Sequence, residues 1–234
     1  MEHDGSRADR ACVVVPAFRE AEVIGTVLRE LREHFPLVVC VDDGSPDATF
    51  DQARATGVTV IRHPVNLGQG AALQTGITYA VQSLRASYVV TFDADGQHDP
   101  TDAVRMVQRA RDSGLDVILG SRFLAETSAV PRLRRAVLRT AALFTRASTG
   151  LHVTDAHNGL RVLTGAAAGS IRLRQAGMAH ASEILSEVAR LGLSYAEEPV
   201  TIRYTDYSRA KGQSSLNAFN ILYDLVTSRL RDQP

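Results

Sequence analysis

The chain has 234 residues, of which 44% are hydrophobic and 22% are charged. This length and composition suit one α/β domain with a packed core and argue against a disordered chain. Lysine and arginine together number 26, as do aspartate and glutamate, so the net charge predicts no partner, nucleic acid included, and any basic surface must be local.

The first ten residues are polar and charged, which predicts a flexible tail and is not typical of a signal peptide. No segment approaches the ~18 uninterrupted apolar residues that a membrane span needs. Cys12 and Cys40 both lie in apolar, strand-like runs and are expected to be buried, reduced thiols. We therefore expect a cytoplasmic protein, which is soluble or peripheral on the inner face of the membrane.

Short apolar, β-branched runs alternate with segments of helical periodicity through the first half of the chain. Strands are predicted over 11–16, 37–41, 58–61, 87–92 and 117–120, and helices over 20–34, 47–56, 68–84 and 101–113. This alternation predicts βαβ units and a mainly parallel sheet flanked by helices. Ligands of such sheets bind off the carboxyl ends of the strands, which is where the polar clusters of this sequence fall.

The second half of the chain is less regular. We predict a basic helix over 132–148, a loop and strand over 155–163, a helix over 180–191, an extended segment over 195–204 and a closing amphipathic helix over 215–231. No linker separates the two halves, so the sequence predicts a single domain.

Two aspartates one residue apart follow the fourth predicted strand. Asp93 and Asp95 flank Ala94, and carboxylates this close repel each other unless a cation lies between or beside them. A hard divalent ion such as Mg²⁺ or Mn²⁺ suits these oxygen ligands and also holds phosphates, and Gln97 offers a further carbonyl oxygen. The pair indicates a metal site, with a solvated turn or helix cap as the alternative.

Other polar clusters follow the first three strands. Asp43, in the run Asp42-Asp43-Gly44-Ser45, is a candidate to bind a base or ribose, or it forms a tight turn before a helix cap. Glu20 either contacts a nucleotide or favours the first turn of its helix. The run Asn66-Leu67-Gly68-Gln69-Gly70 opens a helix whose N–H groups face a ligand or simply make a turn.

In this order, the clusters resemble those of family 2 glycosyltransferases, in particular the dolichol-phosphate mannose synthase and polyprenyl-phosphate glycosyltransferase branch. The motifs are Pro16-Ala17-Phe18-Arg19-Glu20, Val41-Asp42-Asp43-Gly44-Ser45, Asn66-Leu67-Gly68-Gln69-Gly70 and Asp93-Ala94-Asp95-Gly96-Gln97-His98. The resemblance spans residues 11–205 and is strongest through residue 122. It implies the Rossmann-like GT-A fold, with residues 11–122 as the nucleotide-sugar-binding half and 123–234 as the acceptor-side half.

The resemblance also implies roles for individual residues. The nucleotide pocket would be formed by Pro16, Ala17, Glu20, Asp43, Gly70 and Asp93, and the metal on the diphosphate would be held by Asp93, Asp95 and Gln97. Ser121 and Arg122 match the family motif that faces the acceptor phosphate. Asp155, followed by Asn158-Gly159-Leu160-Arg161, matches a segment whose acidic residue approaches the sugar. The catalytic candidates are Asp95, Arg122 and Asp155.

The implied reaction is an inverting transfer of a hexose from a GDP- or UDP-sugar to a polyprenyl or dolichyl phosphate. The metal would neutralise charge that builds on the leaving phosphate oxygens. A lipid phosphate is already an anion, whereas a hydroxyl acceptor needs a general base, for which Asp155 is the candidate unless it only caps a turn. The alternatives are a soluble or protein hydroxyl acceptor and a non-catalytic nucleotide-sugar-binding subunit.

Basic residues gather between Arg122 and Arg146, and the predicted helix 132–148 interleaves them with apolar residues. This pattern favours contact with an anionic membrane surface or a phosphate headgroup, although a core-facing helix with a solvated charged face shows it too. Arg135 on this helix and Arg209 and Lys211 in a later glycine-containing loop are candidates for binding the acceptor phosphate.

The sequence departs from the family pattern in two ways. Gln69 stands where many relatives have a lysine, which removes one charge from the expected phosphate site. Many relatives also carry carboxy-terminal transmembrane helices, and none is predicted here. We therefore expect membrane association to come from the amphipathic helices, the lipid acceptor or a separate membrane partner protein.

Overall fold

The computed structural model describes residues 10–124, 132–175 and 180–203, with the side chains of 132–139 and 144 outside that description. Its strands are β1 (Ala11–Ala17), β2 (Leu37–Asp42), β3 (Thr59–Arg62), β4 (Tyr88–Thr91), β5 (Val117–Ser121), β6 (Arg161–Thr164) and β7 (Tyr195–Pro199). Its helices are α1 (Ile24–His34), α2 (Thr49–Ala55), α3 (Gln69–Gln82), α4 (Pro100–Ser113), α5 (Arg132–Thr149), α6 (Gly165–Ser170) and α7 (His180–Arg190).

The seven strands form one sheet in the order β3-β2-β1-β4-β6-β5-β7. Strand β6 is antiparallel to both β4 and β5, and every other pairing is parallel. All strands except β6 therefore run in the same direction, and their carboxyl ends meet at one edge. The predicted single-domain α/β fold with a mainly parallel sheet is confirmed.

Helices cover both faces of the sheet because the central strands are apolar on both sides. In β1, Val13 and Val15 face the core formed with α1 and α4, whereas Cys12 and Val14 face the core formed with α3, α6 and α7. All seven residues of β1 are buried. This double burial explains why the strand reads as a continuous apolar run rather than an alternating one.

The two cysteines are free and buried, as expected from their apolar runs. They face opposite sides of the sheet, with Cys12 packed against α3 and Cys40 packed against α1. Burial raises the pKa of each thiol to about 12, so both stay protonated at neutral pH.

Helix boundaries follow local capping chemistry. The carboxylate of Asp99 accepts a hydrogen bond from the Thr101 N–H, and Pro100 occupies the first position of α4. Gly114 ends the helix with a φ of 67°. The predicted helix at 20–34 begins only at Ile24, and the residues before it form a turn in which the Glu20 carbonyl accepts hydrogen bonds from the N–H groups of Val23 and Ile24.

The second half differs from its predicted pattern in detail. The extended segment predicted over 195–204 is a strand only to Pro199, and beyond it Ile202 makes an isolated antiparallel bridge with His98. Helix α6 was not predicted. The closing helix over 215–231 and the tail before Arg10 lie outside the described residues. Within the described part of the chain, no helix is long and apolar enough to cross a membrane.

Candidate active site

The loops after β1, β2 and β4 lie side by side at the carboxyl edge of the sheet. Register sets this arrangement, since β1 pairs Ala17 with Asp42 of β2 and Val14 with Thr91 of β4. The structure therefore brings Glu20, Asp43 and the Asp93/Asp95 pair to one edge, as the sequence predicts for a parallel sheet. Pro16 and Ala17, at the end of β1, are buried.

Asp43 is buried and holds the loop that precedes α3. Its carboxylate accepts hydrogen bonds from the N–H groups of Leu67 at 2.9 Å and Gly68 at 2.7 Å, and its Oδ1 lies 2.7 Å from Nδ1 of His63. Gly44 is required beside it, because φ is 68° and a Cβ would lie 2.5 Å from the carbonyl carbon of Val65. In this structure the carboxylate predicted to bind a base or ribose thus orders a neighbouring loop.

The backbone after β1 is held by one side chain from the loop after β2 and one from the start of α2. The Arg19 N–H donates to Oγ of Ser45 at 3.0 Å, and the Glu20 N–H donates to Oγ1 of Thr49 at 2.8 Å. Arg19 has a φ of 57°, a left-handed conformation that costs energy for a residue with a side chain. The two hydrogen bonds hold the backbone of Arg19 and Glu20 in place and so stabilise this conformation.

Asp93 lies two residues after the end of β4, and its two oxygens have different partners. Nε2 of Gln69 donates to Oδ1 at 3.2 Å, and Nε2 of His98 lies 3.1 Å from Oδ2. Burial acts to raise the pKa of Asp93, but the His98 hydrogen bond and the charges of His98, His180 and Arg161 outweigh it, so the pKa lies below its ordinary value. Asp93 is therefore ionised across the neutral range.

Asp95 behaves in the opposite way. Burial and the negative charge of Asp93 raise the pKa of Asp95 to about 6, with a smaller contribution from Glu20. The N–H of Gln97 donates to Oδ1 of Asp95 at 3.0 Å. The carboxylates of Asp93 and Asp95 repel each other, and a cation bound between or beside them would relieve this repulsion.

The carboxylates of Asp93 and Asp95 fit a hard divalent cation whose remaining ligands are phosphate oxygens of a bound substrate. In the three described ranges, no group of three or more His, Cys, Asp or Glu side chains is placed to hold a metal. A cation at Asp93 and Asp95 would thus need oxygens from a bound ligand or from water. This is how Mg²⁺ is usually held, by one or two carboxylates together with substrate phosphates.

A small cavity of about 50 Å³ with both polar and apolar lining residues adjoins Asp93. Its polar lining is formed by Gln69, Thr91, Asp93, His157, Arg161 and His180. Burial and the charge of Arg161 lower the pKa of His157 to about 4, so this imidazole is neutral at physiological pH. Arg161 is buried and donates to the carbonyls of Ala156 and Ala181. The volume is sufficient for a few water molecules, each of which needs roughly 10–15 Å³ by this measure.

Arg122 and Asp155 form a buried ion pair beyond the end of β5. Nε of Arg122 lies 2.6 Å from Oδ2 of Asp155, and the Arg122 N–H donates to the same oxygen at 3.1 Å. Their side chains are 8% and 0% exposed. Oγ of Ser121 lies 2.6 Å from Oγ1 of Thr154. Ser121 and Arg122, which the resemblance assigns to the acceptor side, therefore both contact the loop that contains Asp155.

Oδ1 of Asp155 is buried and has no hydrogen-bond partner among the described residues. Nδ1 of His157, two residues further along the same loop, is likewise without a partner within the described ranges. Buried polar atoms of this kind usually bind water or ligand, so these two atoms can each form a further hydrogen bond.

The remaining predicted site residues are Gly70, Gln97, Arg135, Arg209 and Lys211. Gly70 lies in the first turn of α3, where a Cβ would be 2.0 Å from the carbonyl oxygen of Gln175. Gln97 lies beside the aspartate pair, and its carbonyl accepts the N–H of Arg203 at 2.8 Å. Arg135 lies on α5 with its side chain outside the description, and Arg209 and Lys211 lie outside the described residues.

Two contributors to the site were not predicted from the sequence. Glu197 on β7 accepts hydrogen bonds from the N–H groups of Thr154 and Asp155, and His157 lines the cavity next to Asp93. Glu197 belongs to no local cluster that marks it, whereas His157 lies inside the segment from Asp155 to Arg161 that the resemblance singled out. For Glu197, the one indication from the sequence was its place in the extended segment predicted over 195–204.

An α/β domain with an acidic pair at the carboxyl edge of its sheet has polar groups at the edge where ligands of such sheets bind. The model of the family Glycosyl transferase family 2 matches residues 12–168, which is more than half of the chain. The chain belongs to this family, and the predicted glycosyltransferase class and GT-A fold are confirmed.

Relatives and a solved structure extend the comparison. The chain is 30% identical over 240 residues to the UDP-N-acetylglucosamine–dolichyl-phosphate N-acetylglucosaminyltransferase of Methanococcus voltae, covering 93% of this chain and 95% of that protein. It is 28% identical over 214 residues to the undecaprenyl-phosphate mannosyltransferase of Micrococcus luteus, covering 86% and 87%. It also resembles glucosyl-3-phosphoglycerate synthase from Mycobacterium tuberculosis in complex with Mn²⁺, UDP and phosphoglyceric acid, with a TM-score of 0.69 and 21% identity over 94% of this chain and 79% of that chain.

Proposed function

We propose that this enzyme transfers a hexose from a nucleoside diphosphate to a polyprenyl or dolichyl phosphate, with inversion at the anomeric carbon. The names of two relatives support a lipid-phosphate acceptor. The observation that carries the proposal is the buried ion pair of Arg122 with Asp155, whose side chain is fully buried. The predicted general base is thus engaged by a cation, an arrangement that suits an acceptor needing no deprotonation.

The donor is bound at the edge formed by β1, β2 and β4. Asp93 and Asp95 would hold Mg²⁺ or Mn²⁺ on the donor diphosphate, with Gln97 beside them. When bound, the metal would neutralise charge on the leaving nucleoside diphosphate. The solved structure with Mn²⁺ and UDP on the same fold supports this arrangement. The carboxylate of Asp93 is suited to the role because its pKa is depressed and it stays ionised.

The acceptor is bound on the side of Ser121 and Arg122. An anionic phosphate oxygen attacks the anomeric carbon from the face opposite the leaving group, so no proton has to be removed first. The guanidinium of Arg122, charged and fixed by Asp155, would attract the acceptor phosphate. Two exposed apolar side chains support a peripheral membrane contact: Leu124, two residues after Arg122, is 45% exposed, and Leu143 on α5 is 66% exposed.

A hydroxyl acceptor is the second candidate, and one observation favours it. Oδ1 of Asp155 has no partner among the described residues, so one oxygen of the carboxylate is available to accept a proton. In that case Asp155 would be the general base and Arg122 would hold it in place. A soluble or protein hydroxyl would then replace the lipid phosphate.

Transfer assays with matched lipids separate the two candidates. Radiolabelled UDP- and GDP-sugars would be offered with Mn²⁺ or Mg²⁺ to undecaprenyl phosphate and, as a control, to undecaprenol, which lacks only the phosphate. We expect product with the phosphate alone, together with a rise in melting temperature for the correct nucleotide plus metal. Product from alcohols only would overturn the lipid-phosphate acceptor. A failure of every donor to bind would count against the transferase reaction itself.

A further inference from the structure

The loop that holds Asp155 has no regular secondary structure of its own. Between α5 and β6, residues 151–160 contain neither helix nor strand. Even so, the Asp155 carboxylate is placed well enough to accept two hydrogen bonds from Arg122. A loop of this kind keeps one conformation only if neighbouring elements bind its backbone, because fixing each residue costs about 1–2 kcal/mol.

Glu197 of β7 supplies that binding. The Thr154 N–H donates to both carboxylate oxygens of Glu197, at 2.8 and 2.9 Å. Oε1 also accepts from Oγ1 of Thr154 at 3.1 Å and from the Asp155 N–H at 3.1 Å. One half-buried carboxylate therefore holds two consecutive residues of the loop through three donor groups.

Ser121, the last residue of β5, and Arg122 complete this hydrogen-bond network. Oγ1 of Thr154 lies 2.6 Å from Oγ of Ser121, and Arg122, the next residue, binds Asp155. Strands β5 and β7 are parallel neighbours that pair Leu119 with Glu197. Glu197 therefore faces the same side of the sheet as Leu119 and reaches the loop from beside Ser121.

We propose that Glu197 is a positioning residue, which holds Thr154 and Asp155 so that Asp155 fixes the guanidinium of Arg122 toward the acceptor. The role rests on the proposed function, because it gives Arg122 the acceptor phosphate to bind. A carboxylate suits the position better than an amide, since three donors converge on it and a glutamine would direct its own NH₂ group at some of them.

The next residue provides a matched control. Glu198 points to the opposite face of the sheet, where it lies 3.4 Å from Nε of Arg105 on α4. Glu198→Gln makes the same change of charge and shape one residue away from Glu197→Gln. It leaves the contacts of Thr154 and Asp155 intact, so we expect it to retain wild-type turnover.

The activity test is a double-mutant cycle in the transfer assay with undecaprenyl phosphate. We expect Glu197→Gln to lower kcat roughly 10-fold without changing KM for the nucleotide sugar, because the acceptor-side guanidinium is misplaced while the donor site is untouched. If Glu197 acts through Arg122, the same substitution in an Arg122→Lys background should lower kcat less than about 2-fold. Losses that multiply independently would show that Glu197 acts elsewhere.

A measurement independent of activity follows Arg122 itself. Hydrogen exchange of its Nε–H, observed by NMR, should be slow in the wild type and in Glu198→Gln, and clearly faster in Glu197→Gln. Unchanged exchange would overturn the positioning role. If the wild type transferred no sugar to a lipid phosphate, the proposed function would fail, while this measurement would still decide the role of Glu197.

A second variant covers the case in which Glu197→Gln does not fold. Glu197→Asp keeps the charge but withdraws the carboxylate by one methylene from the N–H groups of Thr154 and Asp155. We expect the same direction of change in kcat and in Arg122 exchange. A Glu197→Asp protein with wild-type values for both would contradict the proposal.

Discussion

Gln69 donates a hydrogen bond to Asp93, with Nε2 lying 3.2 Å from Oδ1. The resemblance drawn from the sequence motifs implies a lysine at this position in many relatives. An amide at this point orients the carboxylate without adding a positive charge beside the expected metal. The substitution therefore changes the electrostatics of the phosphate site while keeping the geometry of Asp93.

Restoring the charge should be measurable. Gln69→Lys is expected to strengthen binding of a nucleoside diphosphate in the absence of metal by roughly 10-fold, because an ammonium would face the phosphates in a partly buried site. Calorimetry in the presence of a chelator measures this directly. Gln82→Lys, at the exposed far end of the same helix, adds the same charge and should change nothing. Equal effects of the two variants would mean that net charge alone is responsible.

The raised pKa of Asp95 should appear in the stability of the metal-free protein. The folded pKa is about 6 and the ordinary value is 3.8, so between these values the native state binds more protons than the unfolded state. The free energy of unfolding should then rise as the pH falls from about 6 towards 4. Above pH 6, the ionised carboxylate of Asp95 destabilises the fold to its full extent.

Asp95→Asn removes this penalty. At pH 7 without metal we expect the variant to be more stable by on the order of 1 kcal/mol, a value reduced for the partial exposure of the group. Urea unfolding across pH 4–8 provides the measurement, with Glu33→Gln on the exposed face of α1 as a control. A destabilised Asp95→Asn protein would show that the carboxylate pair is not repulsive in the fold.

Gly159 is packed directly against Asp93. A Cβ at this position would lie 2.0 Å from Oδ2 of Asp93, closer than any real contact. Gly159→Ala must therefore displace the carboxylate, and we expect Mn²⁺ affinity measured with bound nucleotide to fall by about 10-fold or more. In the control Gly169→Ala, the new Cβ meets only Val81 at an ordinary 3.5 Å. Metal affinity unchanged by Gly159→Ala would mean that Asp93 does not bind the ion.

Arg19 adopts a left-handed backbone conformation, with a φ of 57°. Asparagine tolerates this conformation much better than arginine, so Arg19→Asn is expected to raise the free energy of unfolding by about 0.5–1 kcal/mol. Chemical denaturation measures the change. Arg19→Lys keeps both the charge and the unfavourable φ and should give no gain. A loss of stability in Arg19→Asn would imply that the guanidinium itself stabilises the fold.

Much of the first half could be predicted because the relevant information is local. A strand buried on both faces, such as β1, must be apolar at every position, and its end is marked by the first polar residues. The Asp93/Asp95 pair follows such a strand, so its place at the carboxyl edge follows from the direction of the strand alone. Helix α4 is similarly marked by its own cap and stop residues, Asp99 and Gly114.

The partners of these side chains could not be predicted in the same way. The Asp43 carboxylate looked available for a ligand, yet it binds the N–H groups of Leu67 and Gly68, more than twenty residues away. Asp155 looked like a free acid or a cap, yet it pairs with Arg122, 33 residues earlier. In each case the sequence predicted a polar residue at the correct edge without indicating what it would bind.

The sequence by itself determined the class of fold, the order of the βαβ units and the edge where the acidic residues gather, because burial periodicity and turn chemistry act over a few residues. Only the tertiary structure decided that antiparallel β6 lies between β4 and β5, and that β7 joins β5 and places Glu197 beside the loop of Asp155. Strand order and register depend on how all the apolar faces pack at once. Contacts between residues 42 or 43 positions apart are therefore set by the whole core and not by the segments that contain them.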